Sequence, residues 1–209
     1  IVNVIKSLKK NGYHDIVVVD DGSSDKTFDL CKREKVHALR HVINRGQGAA
    51  LKTGIDYALL RGADIIVTFD ADGQHRAEEI KRLTEPIEKG EADAVLGSRF
   101  LDSRTKVPFF KKIVLKGGVL FTRAFSGIKL TDTHNGFRAL SRRAAQKIEI
   151  EQDRMAHASE IIDEIARKKI RFKEVPVTIV YTEYSKAKGQ SILNSIRIAA
   201  KFLFHKLMR

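Results

Sequence analysis

Short runs of β-branched and apolar residues alternate along the chain with stretches that have helical periodicity. Each run ends in polar or glycine-containing residues, and a helical stretch follows it. Strands and helices that alternate in this way build βαβ units, so the pattern predicts an α/β fold with a mostly parallel central sheet flanked by helices. The predicted strands are residues 16–19, 39–43, 65–69 and 94–96, and the predicted helices are residues 1–10, 27–35, 49–60, 78–88 and 158–168.

Length and composition fit one domain that is not embedded in a membrane. The 209 residues, 43% of them hydrophobic, suffice for one α/β core. No apolar run approaches the roughly 18 residues that span a bilayer, so we expect a protein that is soluble or bound at a membrane surface. Cys31 is the single cysteine, which fits the reducing cytoplasm, and we expect it to be a buried thiol.

The predicted strand at residues 65–69 ends in the sequence Asp70, Ala71, Asp72. Side chains alternate along an extended segment, so both carboxylates point to the same side and repel one another unless a cation or a hydrogen-bonding ligand lies between them. Hard oxygen ligands of this kind suit Mg²⁺ or Mn²⁺, which keep further positions for water and substrate phosphates. The alternative is a solvated acidic turn, because so short a motif also arises by chance.

Polar loops follow the other predicted strands as well. Open parallel sheets bind ligands beyond the carboxyl ends of their strands, so these loops predict one binding site and strengthen the metal interpretation. The turn at residues 46–48 and the helix that it opens favour an anion, although a simple tight turn is the alternative. Arg99 has the planar, charged fork that grips a phosphate. The residues that we place in this site are Asp20, Asp21, Gly46, Gly48, Asp70, Asp72, Gln74, Ser98 and Arg99.

Five segments carry a resemblance to a known family. By their order and spacing they resemble the family 2 glycosyltransferases of GT-A fold, in particular the dolichol-phosphate mannosyltransferase and polyprenyl-phosphate glycosyltransferase branch. The five segments are VVVDDGSSDKT, NRGQGAAL, FDADGQH, GSRF and DTHNGFRALS. The similarity extends over nearly the whole chain. Family members have a strand before the position of residue 1, and the predicted first helix starts without a capping residue. We therefore expect that a first strand precedes residue 1.

The resemblance implies roles for the residues of the donor half of the site. Asp20 and Asp21 would bind the base and the ribose of a nucleotide, as acceptors for ring N–H and hydroxyl groups. Asp70, Asp72 and Gln74 would hold a divalent metal, Mg²⁺ or Mn²⁺, on the diphosphate.

The acceptor half of the site is expected at residues 132–138, which resemble the family's DxxxGF segment and would face the transferred sugar. Asp132 is a general base if the acceptor is a hydroxyl group, whereas it only orients groups if the acceptor is an ionised lipid phosphate. Lys186 stands where the family's RxxGxS loop has its arginine. The candidate catalytic residues are Asp72, Asp132 and Arg99, the further candidate substrate ligands are Lys112, Arg138 and Lys186, and we interpret His75, His134 and His157 as structural and Glu160 as solvated.

The net charge of +13 comes from two segments. Residues 103–131 contain seven Lys or Arg and residues 185–209 contain six, and neither segment contains an acidic residue. Basic and apolar residues mix there at helical spacing, so we predict amphipathic interface segments at about residues 104–127 and 190–209 that bind an anionic membrane surface, with no nucleic-acid partner. The alternative is that these helices dock on the protein's own core.

Together these features predict a single GT-A catalytic domain over residues 1–209. Its expected activity is that of a metal-dependent inverting glycosyltransferase, which moves a hexose from a nucleotide sugar of the GDP-mannose or UDP-glucose type to dolichyl or undecaprenyl phosphate at the cytoplasmic face of the membrane. One alternative is a family 2 glycosyltransferase that acts on a glycan or another hydroxyl acceptor. Another is a basic membrane- or nucleic-acid-binding module without catalysis, which would need no acidic loops aligned at one sheet edge.

Overall fold

Six strands and seven helices make up the part of the protein that the structure, a computed structural model, describes: residues 1–105 and 107–180. The strands are β1 Val17–Asp20, β2 His37–Arg40, β3 Ile65–Thr68, β4 Ala94–Ser98, β5 Arg138–Ser141 and β6 Phe172–Pro176. The helices are α1 Val2–Lys10, α2 Thr27–Arg33, α3 Gln47–Leu60, α4 Ile80–Glu88, α5 Phe109–Ser126, α6 Arg142–Lys147 and α7 His157–Arg167, and a 3₁₀ turn at Ala77–Glu79 leads into α4. Lys186 and the predicted interface segment at residues 190–209 lie outside the described residues.

The strands form two sheets. β1 pairs in parallel with β2, and the second sheet has the order β3-β5-β4-β6. β5 runs antiparallel to both β3 and β4, while β6 is parallel to β4, so β3, β4 and β6 share one direction. The predicted α/β class with helices around a mostly parallel sheet is confirmed, and β5 is the one described strand that opposes its neighbours.

The central strands are buried on both faces, as a sheet covered by helices on two sides requires. On β4, Val95 and Leu96 point to opposite faces, and they are 0% and 2% exposed. Leu96 packs with Ile162 and Ile165 of α7, whereas Val95 packs with the helices on the other face. Cys31 belongs to that second cluster and is fully buried, so the expectation of a buried thiol is confirmed.

Helix α5 presents an amphipathic face to solvent. One side of the helix contacts α7. On the outer side Phe109, Ile113 and Leu120 are 72%, 54% and 69% exposed. The exposed basic residues Lys112, Lys116 and Arg123 fall on the same face, because residues three, four and seven positions apart share a helix face. Within the described ranges, no helix is both long and apolar enough to cross a membrane.

A cavity of about 900 Å³ separates the two sheets. Its side walls are β1 and β3, its floor includes Gly54 and Ala58 of α3, and its roof includes Ile5 and Leu8 of α1. Among the described strands β1 pairs with β2 alone and β3 with β5 alone, so each presents an unpaired edge to the cavity. Unpaired backbone edges are a template for a further strand. The cavity therefore supports the expectation of a strand that precedes residue 1, which stays a prediction.

We predict that an apolar strand of about five or six residues, joined ahead of Ile1, stabilises the protein by at least a few kcal/mol, because it would bury the apolar walls of the cavity. Urea denaturation measures the gain in the free energy of unfolding. Hydrogen exchange should slow at the amides of β1 and β3 that face the cavity. The control is a Gly/Ser extension of equal length, and the prediction is wrong if both extensions stabilise the protein equally.

Candidate active site

The predicted polar loops meet at the carboxyl ends of β1, β3 and β4. Contacts connect them in a chain: the loop after β1 binds the turn before α3, that turn reaches Asp70 after β3, and Asp70 touches the segment that follows α5. Arg99, after β4, pairs with Asp132 of the same segment. The structure therefore brings the sequence-predicted loops together at one edge, as expected for an open α/β sheet.

Asp70 is held from three directions. Its Oδ1 atom accepts a hydrogen bond of 2.9 Å from Nε2 of Gln47, and its backbone N–H donates to Nδ1 of His75 over 3.1 Å. A Cβ atom added to Gly136 would lie 2.7 Å from Oδ2 of Asp70, so only glycine allows this approach. Burial raises the pKa of the Asp70 carboxyl, against the opposing charge of Arg138. A cation at this carboxylate would favour its ionised form.

His75 shapes the loop that carries the two aspartates. Its ring stacks on Phe137 with centroids 4.7 Å apart and meets the edge of Phe69. Burial lowers the pKa of His75 to about 4, so the ring is neutral at pH 7 and its Nδ1 can accept the Asp70 N–H. These contacts support our interpretation of His75 as a structural residue.

Asp72 and Gln74 complete the donor set expected for a metal. Oδ1 of Asp72 accepts the N–H of Gln74 over 2.9 Å, and the carbonyl of Gln74 accepts the N–H of Val180 over 3.0 Å, so the loop is fixed at both ends. Two carboxylates and one amide oxygen are the hard ligands that Mg²⁺ and Mn²⁺ accept, with water and phosphate oxygens in the other positions. No cluster of three or more His, Cys, Asp or Glu side chains suited to a metal occurs in the described part of the chain. The oxygen donors of Asp70, Asp72 and Gln74 fit a divalent metal whose remaining ligands are water and substrate phosphates.

Asp20 and Asp21 organise their own loop. Asp21 accepts the backbone N–H groups of Arg45 and Gly46 over 2.9 and 2.6 Å, and its Oδ1 lies 2.7 Å from Nδ1 of His41. Burial by itself raises the pKa of Asp21, but these hydrogen bonds hold it below its usual value. Asp20 is buried, and its Oδ1 accepts the N–H of Ser23. Their contact with a nucleotide stays a prediction.

Residues 46–48, predicted as a turn, form the start of α3 and pack on a distant loop. A Cβ atom on Gly48 would lie 1.9 Å from the carbonyl oxygen of Gln152, and the N–H of Ala49 donates to the carbonyl of Asp153 over 3.0 Å. The glycine is therefore required for packing, whether or not the turn also binds an anion. This packing places Gln47 against Asp70, a contact that the sequence analysis missed because Gln47 stands between the two glycines on which that analysis concentrated.

Glu160 supports the same loop from α7. Its side chain is buried, and its carboxylate accepts the N–H groups of Glu151 and Gln152 over 3.1 and 3.0 Å. The interpretation of Glu160 as solvated is wrong, because the loop before α7 turns its amides toward this face of the helix. The buried carboxylate thus fixes the loop on which Gly48 packs.

Arg99 and Asp132 form a buried ion pair. The backbone N–H and the Nε atom of Arg99 both donate to Oδ2 of Asp132, over 3.1 and 2.6 Å, and the two side chains are 7% and 1% exposed. Oδ1 of Asp132 accepts the N–H of His134 over 3.3 Å. Ser98 is fully buried, and its hydroxyl lies 2.6 Å from that of Thr131. Ser98 therefore joins β4 to the segment of Asp132, and its contact with a substrate stays a prediction.

Arg138 lies beneath this segment. Its guanidinium donates to the backbone carbonyls of Asn135, Thr133 and Ala158 over 3.0 to 3.3 Å. Burial lowers the pKa of Arg138 to about 10, so it keeps its charge at pH 7 near Asp70. The observed bonds hold the loop, and direct substrate binding by Arg138 stays a prediction.

Lys112 projects from the outer face of α5, and the opposite side of this helix touches the site. A Cβ atom on Gly118 would lie 2.3 Å from Cε1 of His134, so the helix packs tightly on the loop that follows Asp132. A further residue that the sequence analysis missed is Glu174, whose carboxylate accepts the N–H groups of Thr131 and Asp132. Its only sequence signal is an acidic residue in the middle of an extended segment.

The chain is similar to members of a known protein family. The family described as Glycosyl transferase family 2 matches residues 1–149. A UDP-N-acetylglucosamine–dolichyl-phosphate N-acetylglucosaminyltransferase of Methanococcus voltae is 33% identical over 99% of this chain and 91% of its own length. An undecaprenyl-phosphate mannosyltransferase of Micrococcus luteus is 33% identical over 88% of this chain and 81% of its own.

A solved structure with the same fold is glucosyl-3-phosphoglycerate synthase of Mycobacterium tuberculosis, determined in complex with Mn²⁺ and UDP-glucose. It superposes with a TM-score of 0.71 at 16% identity and covers 97% of this chain and 71% of its own. This likeness confirms the predicted GT-A fold. The family match and the two relatives show that the chain belongs to glycosyl transferase family 2 and is a glycosyltransferase.

Proposed function

We propose that this glycosyltransferase is a metal-dependent, inverting enzyme that moves a hexose from a nucleotide sugar to a polyprenyl phosphate at the membrane surface. One observation carries the proposal: residues 132–138 place Gly136 against Asp70 and, four residues earlier, Asp132 against Arg99. A single segment thus joins the candidate metal loop to the candidate acceptor residues. Transfer requires the donor and the acceptor to be held at a fixed distance and orientation, and this segment connects the residues that would hold each of them.

The donor half of the site fits a nucleoside diphosphate sugar. Asp70, Asp72 and Gln74 would hold the metal, and when bound, Mg²⁺ or Mn²⁺ supplies positive charge that stabilises the departing diphosphate. Arg99 adds a permanent positive charge at the same sheet edge. The names of the two relatives state different sugars. We therefore propose a nucleotide hexose as the class of donor and name neither a particular sugar nor a particular base.

The acceptor half favours a phosphate over a hydroxyl group. Both oxygens of Asp132 accept hydrogen bonds, two of them from Arg99, so the carboxylate is oriented by its neighbours. An ionised phosphate needs no strong base to attack the sugar, whereas a hydroxyl acceptor does. Asp132 therefore serves mainly to orient Arg99 and the acceptor. Both relatives named above act, by their names, on polyprenyl phosphates.

The exposed face of α5 fits a membrane acceptor. Phe109, Ile113 and Leu120 lie beside Lys112 and Lys116, the composition of a helix in a membrane interface. Because the other side of α5 packs on His134, a membrane bound at the exposed face would lie about one helix diameter, roughly 10 Å, from the acceptor segment. The proposed location is the cytoplasmic membrane surface.

We expect transfer in a mass-spectrometric screen of nucleotide sugars with a short polyprenyl phosphate, and we expect Asp72→Ala to abolish it. Removal of one metal ligand should lower the rate at least about 100-fold, close to 3 kcal/mol of transition-state stabilisation. Binding of Mn²⁺, measured by electron paramagnetic resonance in the presence of nucleotide, should weaken in parallel. Asp56→Ala on the surface of α3 is the control. Full activity in the presence of a chelator would contradict metal dependence, and transfer onto glycans alone would favour the hydroxyl-acceptor alternative.

A second prediction concerns Arg99→Lys. Lysine keeps the charge, but its single ammonium group cannot bind Asp132, as Nε of Arg99 does, and at the same time bind a phosphate, as the other guanidinium nitrogens would. We therefore expect kcat/KM to fall about 10- to 100-fold. Thermal unfolding checks that the variant is folded, and Arg33→Lys on α2 is the control. An unchanged rate at subsaturating substrate would show that Arg99 contributes only its charge.

A third prediction concerns the membrane. Replacement of Lys112 and Lys116 by Gln should weaken binding to anionic liposomes roughly fivefold per residue, and salt that shortens the Debye length from ~10 to ~3 Å should weaken it further. Phe109→Ala with Ile113→Ala should reduce the binding that survives high salt, because that part depends on buried apolar area. Lys6→Gln with Lys10→Gln on α1 removes the same charge elsewhere. Equal losses for both lysine pairs, or equal binding to neutral and anionic liposomes, would refute a binding face on α5.

A further inference from the structure

Glu174 on β6 holds the backbone on which Asp132 stands. Its Oε1 atom accepts the N–H and the hydroxyl of Thr131 over 3.0 and 2.9 Å and the N–H of Asp132 over 3.2 Å. Its Oε2 atom also lies 2.9 Å from the Thr131 nitrogen. The carboxylate therefore holds two successive peptide groups, those that carry the N–H of Thr131 and the N–H of Asp132, from the side of the sheet.

These peptide groups are tied to the Arg99–Asp132 pair through two further contacts. The Thr131 hydroxyl lies 2.6 Å from that of Ser98, the residue before Arg99. The Asp132 carboxylate receives the backbone and Nε bonds of Arg99. Glu174, Ser98 and Thr131 thus hold both halves of the ion pair from behind, and a shift of the peptide at Glu174 would move Asp132 relative to Arg99.

This arrangement is costly for stability. Burial and the neighbouring charge of Asp132 both raise the pKa of Glu174, which means that the surroundings oppose its charge, while the donors from Thr131 and Asp132 offset this. Two carboxylates placed close together at a strand end are a recurrent feature of functional sites. A glutamine at position 174 would remove the repulsion between this side chain and the Asp132 carboxylate. Its amide has only one oxygen, however, so an NH₂ group at the Oε2 position would face the Thr131 nitrogen.

We propose that Glu174 is a positioning residue for the transfer reaction: it fixes the peptide before Asp132 and so sets the orientation of the Arg99–Asp132 pair toward the substrates. The proposal rests on the proposed function in one respect, namely that this pair meets the substrates. Glu174 itself touches neither substrate nor metal ligand in this account. Its effect should therefore pass through Asp132.

The test compares Glu174→Gln with Glu164→Gln. Glu164 is a fully buried carboxylate on α7, and it accepts the N–H of Glu149 and pairs with Arg167 and Lys168. Both variants replace a charged acceptor by a neutral amide, but only Glu174 faces Asp132. Unfolding in urea reports the stability of each variant, so that rates are compared for folded protein.

Amide hydrogen exchange tests the positioning directly and needs no substrate. Glu174→Gln should speed exchange at Thr131 and Asp132 at least about tenfold, because a neutral amide oxygen accepts more weakly than a carboxylate and the new NH₂ group would face the Thr131 nitrogen. Glu164→Gln should leave both amides unchanged. Unchanged exchange at these amides in Glu174→Gln would overturn the proposal. This readout stands even if polyprenyl phosphate proves not to be the acceptor, so it separates failure of the proposal from failure of the proposed function.

Kinetics test the consequence. Glu174→Gln should lower kcat about tenfold or more with little change in the KM for the nucleotide sugar, and Glu164→Gln should lower neither. In an Asp132→Asn background, Glu174→Gln should cause no further loss, because residues that act as one unit are not additive. Additive losses in the double variant would show that Glu174 affects the rate independently of Asp132, and the proposal would then be wrong.

Discussion

The approach of the Asp70 carboxylate to the backbone of Gly136 is the contact on which the site depends. A Cβ atom at position 136 would lie 2.7 Å from Oδ2 of Asp70, so a side chain there would displace this carboxylate from its place against the segment before β5. The antiparallel pairing of β5 with β3, in which Arg138 lies opposite Thr68, brings the two together. Four residues before Gly136, Asp132 meets Arg99. The register of one short strand therefore sets the geometry of both halves of the site.

Buried charge is the cost of this geometry. Burial disfavours the charged forms of three side chains at the site, those of Asp70, Arg138 and Glu174. The ion pair of Arg99 and Asp132 is also buried. A core built for stability alone would replace such groups with apolar side chains, since buried ion pairs rarely repay their desolvation. Their presence at the carboxyl ends of the strands is best explained by a ligand that carries charge of its own. A nucleoside diphosphate with a divalent cation has that property.

Periodicity in the sequence was enough to place most elements of the first hundred residues. Apolar runs with β-branched residues fix β1, β3 and β4 because most residues of these strands are apolar, and all five residues of β4 are buried. β5 was missed because its four residues, RALS, include a buried arginine and lie within a segment interpreted only as a ligand loop. β6 was missed because FKEVP does not alternate apolar with polar residues, contains one β-branched residue and ends in proline.

The candidate site was predicted by residue type but not by contact. The DxD loop and Arg99 were recognisable, since carboxylates and arginine after strands indicate a site at one sheet edge. Asp132 was recognisable only by the resemblance of its segment to the DxxxGF segment of the family. The roles of Gln47, Glu160 and Glu174 depend on loops that are close in space and far apart in sequence, and no local pattern records such contacts. Gly48 and Gly136 were part of recognised motifs, but their physical reason, close approach by Gln152 and Asp70, is visible only in the fold.

We propose that the loop after β3 and the segment at residues 132–138 form one metal-dependent nucleotide-sugar site. Anomalous diffraction from crystals grown with Mn²⁺ and a nucleoside diphosphate is the decisive test. A single strong anomalous peak is expected within bonding distance of the Asp70 and Asp72 carboxylates, with the diphosphate on its other side toward Arg99. A nucleotide bound at this sheet edge without Mn²⁺ at Asp70 and Asp72, or Mn²⁺ bound elsewhere with the nucleotide, would contradict it.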